Sequence, residues 1–563
     1  MPNLIRAGGE MFNFHDRPGV SSALLRHLTL PLAVPGRAVL IAGPHPDDLI
    51  TALTDAGAEV TWVLRSLADA ERATAAHPPA TVVSGAFGKV DLSAGYDVVV
   101  AADGTHRLNS AEGEQLTAGE LLDRLAAAVR PGGVLILMHD NQLGAHHTVR
   151  LEPGRRFRDD AAWYPADEPT RHAPASRAQL TGRITGSGLM VDAAWAAFPE
   201  PSEPRVLIGG ELLGDVSSPL RPWLQTVLAQ AYTTAFRGRQ VISDPRGLVS
   251  RALRAGAEDT VAGGWLVVAR VPGAGHPGRE WPDLLVDDGH RVYTIGADGP
   301  RVLAAEAGPA GRSGSVEHSG LRRADLVRPA TGQRLEDRLI EFCASAGLPG
   351  LRQEIGRYAS WLDGQARDGV VDGPAALADL SDLAVTKAGP ELLSARWEGA
   401  VPVQVALVRA LWQFGVRLIT WARPHPWPIT ASAADLAAIL VGMAGRSLDQ
   451  EDLRAAVDLQ VTIDGAEFGL NTAEQRAHRL ALLAVQPGTA PVDVAGYHEL
   501  AEALWRQRYQ ASHLLAMMEW TENTIRLRDD QLSRMDWELR FHRSRLTGRA
   551  LMAAKRAYRG LRK

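Results

Sequence analysis

From about residue 37 to 210, short runs of continuous apolar residues alternate with segments whose apolar residues recur every three or four positions. RAVLIAG, EVTWVL, YDVVVAAD and VLILMHD are of the first kind; DLITALTDAG and GELLDRLAAAVR, the latter closed by PGG, are of the second. Apolar strands separated by helices of about ten residues belong to a parallel sheet covered on both faces. The pattern predicts a doubly wound, Rossmann-like α/β domain over 37–210, preceded by an N-terminal extension at 1–36.

Beyond it the pattern changes. A helix-rich bridge at 211–275 ends in the apolar strand GGWLVVARV. LVDDGHRVYTIGADGPRVLAA (285–305) predicts antiparallel strands with Asp-Gly turns at 288–289 and 298–299. RLEDRLIEFCASAG, LRQEIGRYASWLDGQ and VPVQVALVRALWQFGVRLITW read as helices, with a strand–turn–strand around LAVTKAGPELLSARW. These make 276–490 a mostly helical α+β module. From 497 to 563 the chain reads as helix almost throughout. Met518, Ile525, Leu532, Leu539 and Leu546 recur every seven residues, a seam that predicts a coiled coil and a homo-oligomer through 518–546. The companion positions Thr521, Arg528, Met535 and His542 alternate polar with apolar, which fits equally a single long helix packed on the body.

Composition narrows the functions. A chain of 563 residues exceeds one hydrophobic core. A formal net charge of −5 gives no reason to expect nucleic acid as a partner. The lone cysteine, Cys343, excludes an internal disulfide and a cysteine-based zinc cluster, and its helical spacing makes it a core thiol. The N-terminus lacks an apolar h-region, and VALVRALWQFGVRLITWA is broken by Arg409 and Arg417, so a cytoplasmic protein is expected. One stretch qualifies that. RFHRSRLTGRALMAAKRAYRGLRK (540–563) has no acid, and Leu546, Ala550, Leu551, Ala554, Tyr558 and Leu561 share one side of a helix. That is the pattern of a helix lying on an anionic membrane surface; a solvated basic tail is the alternative.

The chemistry centres on GPHPDD (43–48) after the first strand. A His-Pro-Asp-Asp run resembles the metal motif of LmbE-like zinc deacetylases, which use His and Asp ligands and a second Asp as general base. Leu49 stands where that family places an acidic residue, no Gly-Gly pair follows, and the downstream histidines His106, His139, His146 and His147 lie outside its motif. His146 and His147 are adjacent, so in regular structure they are not expected to face one metal together.

The whole stretch resembles class I S-adenosylmethionine (SAM) dependent methyltransferases more closely. AVLIAGPHPDDLITALTDAGAEVTWVL is similar to their first βαβ unit, YDVVVAADG to the central strand, and LLDRLAAAVRPGGVLILMHDNQLG to the following helix, turn and strand. HDNQLG and the ending GSGLMVDAAWAAFPEPSEPRVLIGG resemble a subgroup linked to surface-glycan assembly. The resemblance implies SAM as cofactor, with Gly43, His45, Asp47 and Asp103 as contacts, and a sugar or glycan as substrate. It also implies His139 as general base for a hydroxyl and Asn141 as substrate ligand; loop-capping roles are the alternative for that pair. The chain departs from the pattern where it matters. His45 and Asp47 stand where the second and third glycines belong, Ile41 replaces an acidic residue before the turn, and Leu64 replaces the ribose-binding carboxylate. Losing a carboxylate that grips two hydroxyls removes roughly 2–4 kcal/mol. GPHPDD therefore reads as an eroded cofactor loop.

GQRLEDRL and LSDLAVTKAGPELLSARWEGAVPVQVALVRALW resemble a kinase-like domain that often follows in this architecture. Leu383 stands at its Asn position, Ser394 at an Asp position, and Arg396-Trp397 replaces a Glu-Trp-like pair; Asp379 and Asp382 remain nearby. Phosphoryl transfer needs those partners, so these aspartates are expected to cap turns. The leading expectation is a scaffold of glycan assembly that has kept both folds and lost both chemistries, with no cofactor. The alternative is an active SAM-dependent O-methyltransferase on a sugar, and the metal deacetylase comes third.

Overall fold

The computed structural model describes residues 3–560 apart from parts of 13–21 and 238–242, and from 150–172, 274–279, 290, 297–298, 306–319, 325–331, 488–493 and 545. Asp298, half of the second Asp-Gly turn, and Leu561, on the apolar side of the tail, lie outside the described residues.

Twelve strands form one sheet: β1 (Leu4–Gly8), β2 (Ala38–Ala42), β3 (Glu59–Leu64), β4 (Thr81–Gly85), β5 (Tyr96–Ala101), β6 (Val129–Asp140), β7 (Met190–Glu200), β8 (Glu203–Ile208), β9 (Gly264–Arg270), β10 (Leu284–Asp287), β11 (Arg291–Gly296) and β12 (Gly299–Ala305). Their order is β1-β4-β3-β2-β5-β6-β9-β7-β8-β10-β11-β12. Pairing is parallel from β1 through β6 and antiparallel from β9 to β12. The chain runs outward from β2 through β3 and β4, then returns to β5 and β6 on the other side. This doubly wound layout puts a switch point between β2 and β5, the place where open α/β sheets hold ligands.

The strands are apolar on both faces because both faces are covered. In β2, Val39 and Ile41 pack into the core on one face with Leu24, Leu49 and Ile50. Leu40 and Ala42 pack on the other with Leu121, Leu125, Leu180 and Trp223. Each fully buried Val or Leu contributes about 1.5–3 kcal/mol. Capping residues fix where the covering helices begin: Ser22, Ser66 and Ser176 each accept from a backbone N–H of the first turn, and Thr117 with Glu120 forms a capping box.

The sheet is larger than the sequence pattern predicts, and three boundaries shift. The stretch 1–36 is no mere extension, because β1 pairs with β4 at the sheet edge. The bridge 211–275 supplies β9, which inserts between β6 and β7. Strands β10 to β12 join the sheet through β8, so the helical module starts after them. Sequence pattern shows that a segment is a strand; it does not show which edge receives it.

The helical module has a core of its own. Leu335 packs there with Leu351, Ile355 and Tyr358 of helix Leu348–Gln365, and with Leu407, Leu411 and Phe414 of helix Val403–Thr420. Cys343 is buried in the same core, and burial pushes its thiol up to about 12. Helix Arg221–Ala235 ties this module to the sheet: Trp223 and Leu228 pack in the sheet's core, while Thr226 donates to the Ser381 carbonyl at 2.9 Å and Gln230 to Asp382 at 3.1 Å.

Residues 493–563 form a separate compact unit. It consists of the 51-residue helix Val494–Ser544 and the helix Leu546–Gly560. Met518, Ile525, Leu532 and Leu539 of the seam are all more than half exposed, and so are Trp520, Leu527 and Trp537, which lie off it.

Candidate functional site

The switch-point crevice is formed by the turn after β2 and the segment after β5. Gly43 follows β2 with φ +87, a left-handed conformation that explains why this glycine stays. Pro46 is the N-cap of helix Asp47–Asp55, so Asp47 and Asp48 occupy its first turn, where the helix dipole favours carboxylates. His45 turns inward and is only 4% exposed. Its Nδ1 lies 3.0 Å from the Gly43 carbonyl, and its Nε2 lies 3.1 Å from the Ala102 amide nitrogen. The consistent tautomer donates from Nδ1 and accepts at Nε2, which ties the end of β2 to the end of β5. Burial lowers the imidazole pKa, keeping it neutral. The Gly43 carbonyl also accepts from the Trp62 indole at 2.9 Å.

The residues beside this plug are equally committed. A Cβ on Gly19 would lie 2.7 Å from His45 Cα, so the N-terminal segment rests directly on the turn. Leu64 is buried where a ribose carboxylate is expected. The next residue, Arg65, makes two hydrogen bonds to Asp16, at 2.8 and 2.7 Å, and a third to the Asn109 carbonyl. Asp103 lines the crevice and is paired with Arg107. Two cavities share His45, Pro44 and Pro46 as a wall, with volumes of about 20 and about 180 Å³. Pockets that enclose a drug-sized ligand are about 300–1,000 Å³.

Four cofactor contacts are expected from the sequence, and the structure sorts them. Gly43, His45 and Asp103 meet at the crevice. Asp47 stands at the rim of the larger cavity, its side chain 71% exposed and its carboxylate 3.0 Å from His77. Asp48 faces Arg26 at 3.9 Å. His45 and the two aspartates therefore diverge, which corrects the metal-hydrolase reading: that chemistry needs them around one ion.

A second cluster lies at the end of β6. His139 is buried against Trp265, with ring centroids 6.1 Å apart, and its Nε2 lies 2.9 Å from the Pro174 carbonyl. Asn141 donates to the Thr260 and Ala262 carbonyls at 2.8 and 2.9 Å and accepts from the Leu143 amide at 3.0 Å. Every polar atom of that side chain is taken, so Asn141 holds a turn, and the expected substrate-ligand role gives way to the loop-capping one. Burial lowers the His139 pKa.

The same turn produces an arrangement that sequence spacing argues against. His146 and His147 sit on the short helix Ala145–Val149, which folds back on Asp140. His146 Nε2 lies 3.1 Å from Asp140 Oδ1, and His147 Nε2 lies 3.2 and 3.1 Å from the two carboxylate oxygens. The ring centroids are 3.9 Å apart. Adjacent histidines do face one point here, because the chain reverses between Asn141 and Gly144, where the Gly144 amide bonds the Asn141 carbonyl at 2.8 Å. The signal in the sequence is that turn, flanked by Asp140 and the histidine pair.

In the helical module, Asp379 and Asp382 form a capping box on the turn Leu380–Asp382. Asp379 binds Arg409 at 2.9 Å and Arg417 at 3.5 Å. Leu383 and Ser394 are buried, and Arg396 and Trp397 both bind Glu467. Asp379, Asp382 and Arg396 thus serve in ion pairs and a cap.

No family model and no curated protein sequence matches the chain. Among solved structures, the chain is similar to a SAM-dependent methyltransferase of Geobacter sulfurreducens in complex with S-adenosyl-L-homocysteine, at 18% identity over 46% of this chain and 94% of that one, TM-score 0.24. It is similar to the glycopeptide N-methyltransferase MtfA complexed with sinefungin, at 15% identity over 47% and 93%, TM-score 0.24. A TehB-like SAM-dependent methyltransferase of Corynebacterium glutamicum matches at 18% identity over 32% and 79%, TM-score 0.20. At these values the likeness says nothing about activity, and the functional reading stands on the crevice itself.

Proposed function

We propose that this protein is a methyltransferase-type scaffold whose cofactor crevice has been closed by its own residues, so that it works by binding partners and not by methyl transfer. The observation that carries this reading is His45. A cofactor at the switch point needs bare backbone at the turn after β2 and free polar groups at the end of β5. His45 occupies the first and uses the Ala102 amide of the second, while Gly19 covers the turn from outside. Two features support a place in surface-glycan assembly: the HDNQLG turn and the FPEPSEP stretch, both similar to the glycan-linked subgroup. Partner docking would fall to the C-terminal unit. Its seam offers an exposed apolar row for a second copy of the chain, and helix Leu546–Gly560 offers a basic, amphipathic face for an anionic membrane.

Calorimetric titration with SAM and with S-adenosylhomocysteine tests the reading. No heat up to millimolar ligand is the expected result. Saturable binding in the micromolar range would overturn it and restore the alternative, a SAM-dependent O-methyltransferase acting on a sugar or glycan hydroxyl.

A further inference from the structure

Among the described residues, one group of His, Cys, Asp and Glu side chains converges as a metal site would: Asp140, His146 and His147, whose donor atoms lie within 4.8 Å of one another. We propose that these three side chains bind a divalent transition-metal ion of the zinc type, through both imidazole Nε2 atoms and the Asp140 carboxylate, with remaining positions open to water or an external ligand.

Zinc bound to imidazole and carboxylate at about 2.0–2.2 Å in a tetrahedron sets neighbouring donor atoms about 3.3 Å apart. The Nε2–oxygen separations here are 3.1 to 3.2 Å. An ion therefore enters by small side-chain rotations, displacing the Nε2 protons now shared with the carboxylate, and each neutral ring keeps its one proton by carrying it on Nδ1.

His146 is 3% exposed. Its Nε2 donates to the Asp140 carboxylate, while its Nδ1 is buried with no hydrogen-bond partner and is open to take the proton that leaves Nε2.

The frame is rigid and the mouth is open. A Cβ on Gly144 would lie 2.6 Å from two atoms of the His146 ring, so only glycine leaves room for the ring. Asn141 pins the turn with its three hydrogen bonds, which makes it a positioning residue for the site. Asp140 and His147 are each about two-fifths exposed, at 43% and 39%, so the free coordination positions face solvent. Two nitrogen donors and one carboxylate select zinc, cobalt or nickel over magnesium or calcium, which prefer all-oxygen shells.

The test uses the full chain, stripped of metal by chelator and dialysed. Titration with Zn²⁺ is followed by calorimetry, and titration with Co²⁺ by its visible absorption. The expected result is one equivalent bound at micromolar or tighter affinity, with excess Mg²⁺ failing to compete. His147→Ala and Asp140→Asn, both at partly exposed positions, are expected to weaken binding tenfold or more. Gly144→Ala, which removes no donor atom, should weaken it as well by displacing the His146 ring. Absence of a stoichiometric site would overturn the proposal. So would binding that His147→Ala and Asp140→Asn leave unchanged, since the ion would then sit elsewhere. Asp140, His146 and His147 line neither cavity at His45, so the metal titration and the SAM titration read different side chains.

Discussion

At the scale of single residues, the crevice is closed by side chains that satisfy one another. Asp16 and Arg65 are both at most 5% exposed, so each relies on the other to offset the loss of water. Removing one partner of such a pair leaves a buried charge and costs about 3–5 kcal/mol. Asp16→Ala is therefore expected to lower stability by about that amount in urea unfolding. It is also expected to speed amide exchange around Met11 and Leu67, where the N-terminal segment is bonded to the chain after β3. A loss below about 1 kcal/mol would mean that packing and the backbone bonds at Met11 hold the segment without the ion pair. His45 and Asp47 show how much of such a site a sequence can display. That they stand where glycines belong is legible from position alone. That His45 turns in to bridge two strands while Asp47 turns out to His77 depends on where β5 and the helix Leu67–Ala76 lie, and these are contacts with distant parts of the chain.

At the scale of elements, the two arginines that interrupt the apolar helix Val403–Thr420 are explained by what they hold. Arg409 donates to Asp379, Gln460 and the carbonyls of Leu377 and Ala378, and Arg417 to Glu336 and Asp379. Two carboxylates in this module have pKa values displaced in opposite directions. Burial would raise Glu467, but the guanidinium groups of Arg396 and Arg323 and the Trp397 indole hold it down, at about 2 against 4.5. Its folded pKa is depressed, so the stability it contributes is present above about pH 4.5 and is lost as pH falls toward 2. The shift corresponds to something on the order of 3 kcal/mol. Glu467→Gln should cost that much at neutral pH, and chemical unfolding of the two proteins should converge as pH drops through that window. Asp382 runs the other way: burial, and then the neighbouring Asp379, raise it from 3.8 to about 6. The folded state keeps that proton longer than the unfolded chain, so stability falls as pH rises from about 4 to about 6, and Asp382→Asn should flatten that slope. The sequence displays the helices and strands of this region by their period. It does not display the ion pairs, because Arg409 meets Asp379 across 30 residues and Arg396 meets Glu467 across 71. The edges of the sheet are hidden for a similar reason: β1 and β10 to β12 are short strands whose neighbours are set by the twelve-stranded order, which no local window contains.

At the scale of the whole molecule, charge is distributed unevenly in a way the net value conceals. Residues 540–563 contain nine Arg and Lys and no acid, so with a formal total of −5 the rest of the chain carries −14. In helix Leu546–Gly560, successive residues turn by about 100°. That turn gathers Leu546, Ala550, Ala553, Ala554, Ala557, Leu551 and Tyr558 on one half and Arg549, Lys555, Arg556 and Arg559 on the other. Leu551 and Tyr558 are 72% and 65% exposed, and no helix is long and apolar enough to cross a membrane among the described residues. A surface-lying helix of this kind draws on two forces. Buried apolar area acts on any bilayer, and attraction to anionic lipid adds about 1 kcal/mol per basic residue near the surface. The acidic remainder opposes the second force, so binding should depend steeply on lipid charge and on salt. Co-sedimentation should then show the full chain on vesicles rich in phosphatidylserine and absent from pure phosphatidylcholine. Raising the salt should release it, since screening shortens the reach of each charge, and truncation before Leu546 should abolish the interaction while leaving the thermal unfolding of the remaining chain unchanged. Equal binding to neutral vesicles would assign the helix to apolar burial alone; no binding to either would leave the basic face as a solvated tail and shift the search for partners to the seam at Met518, Ile525, Leu532 and Leu539.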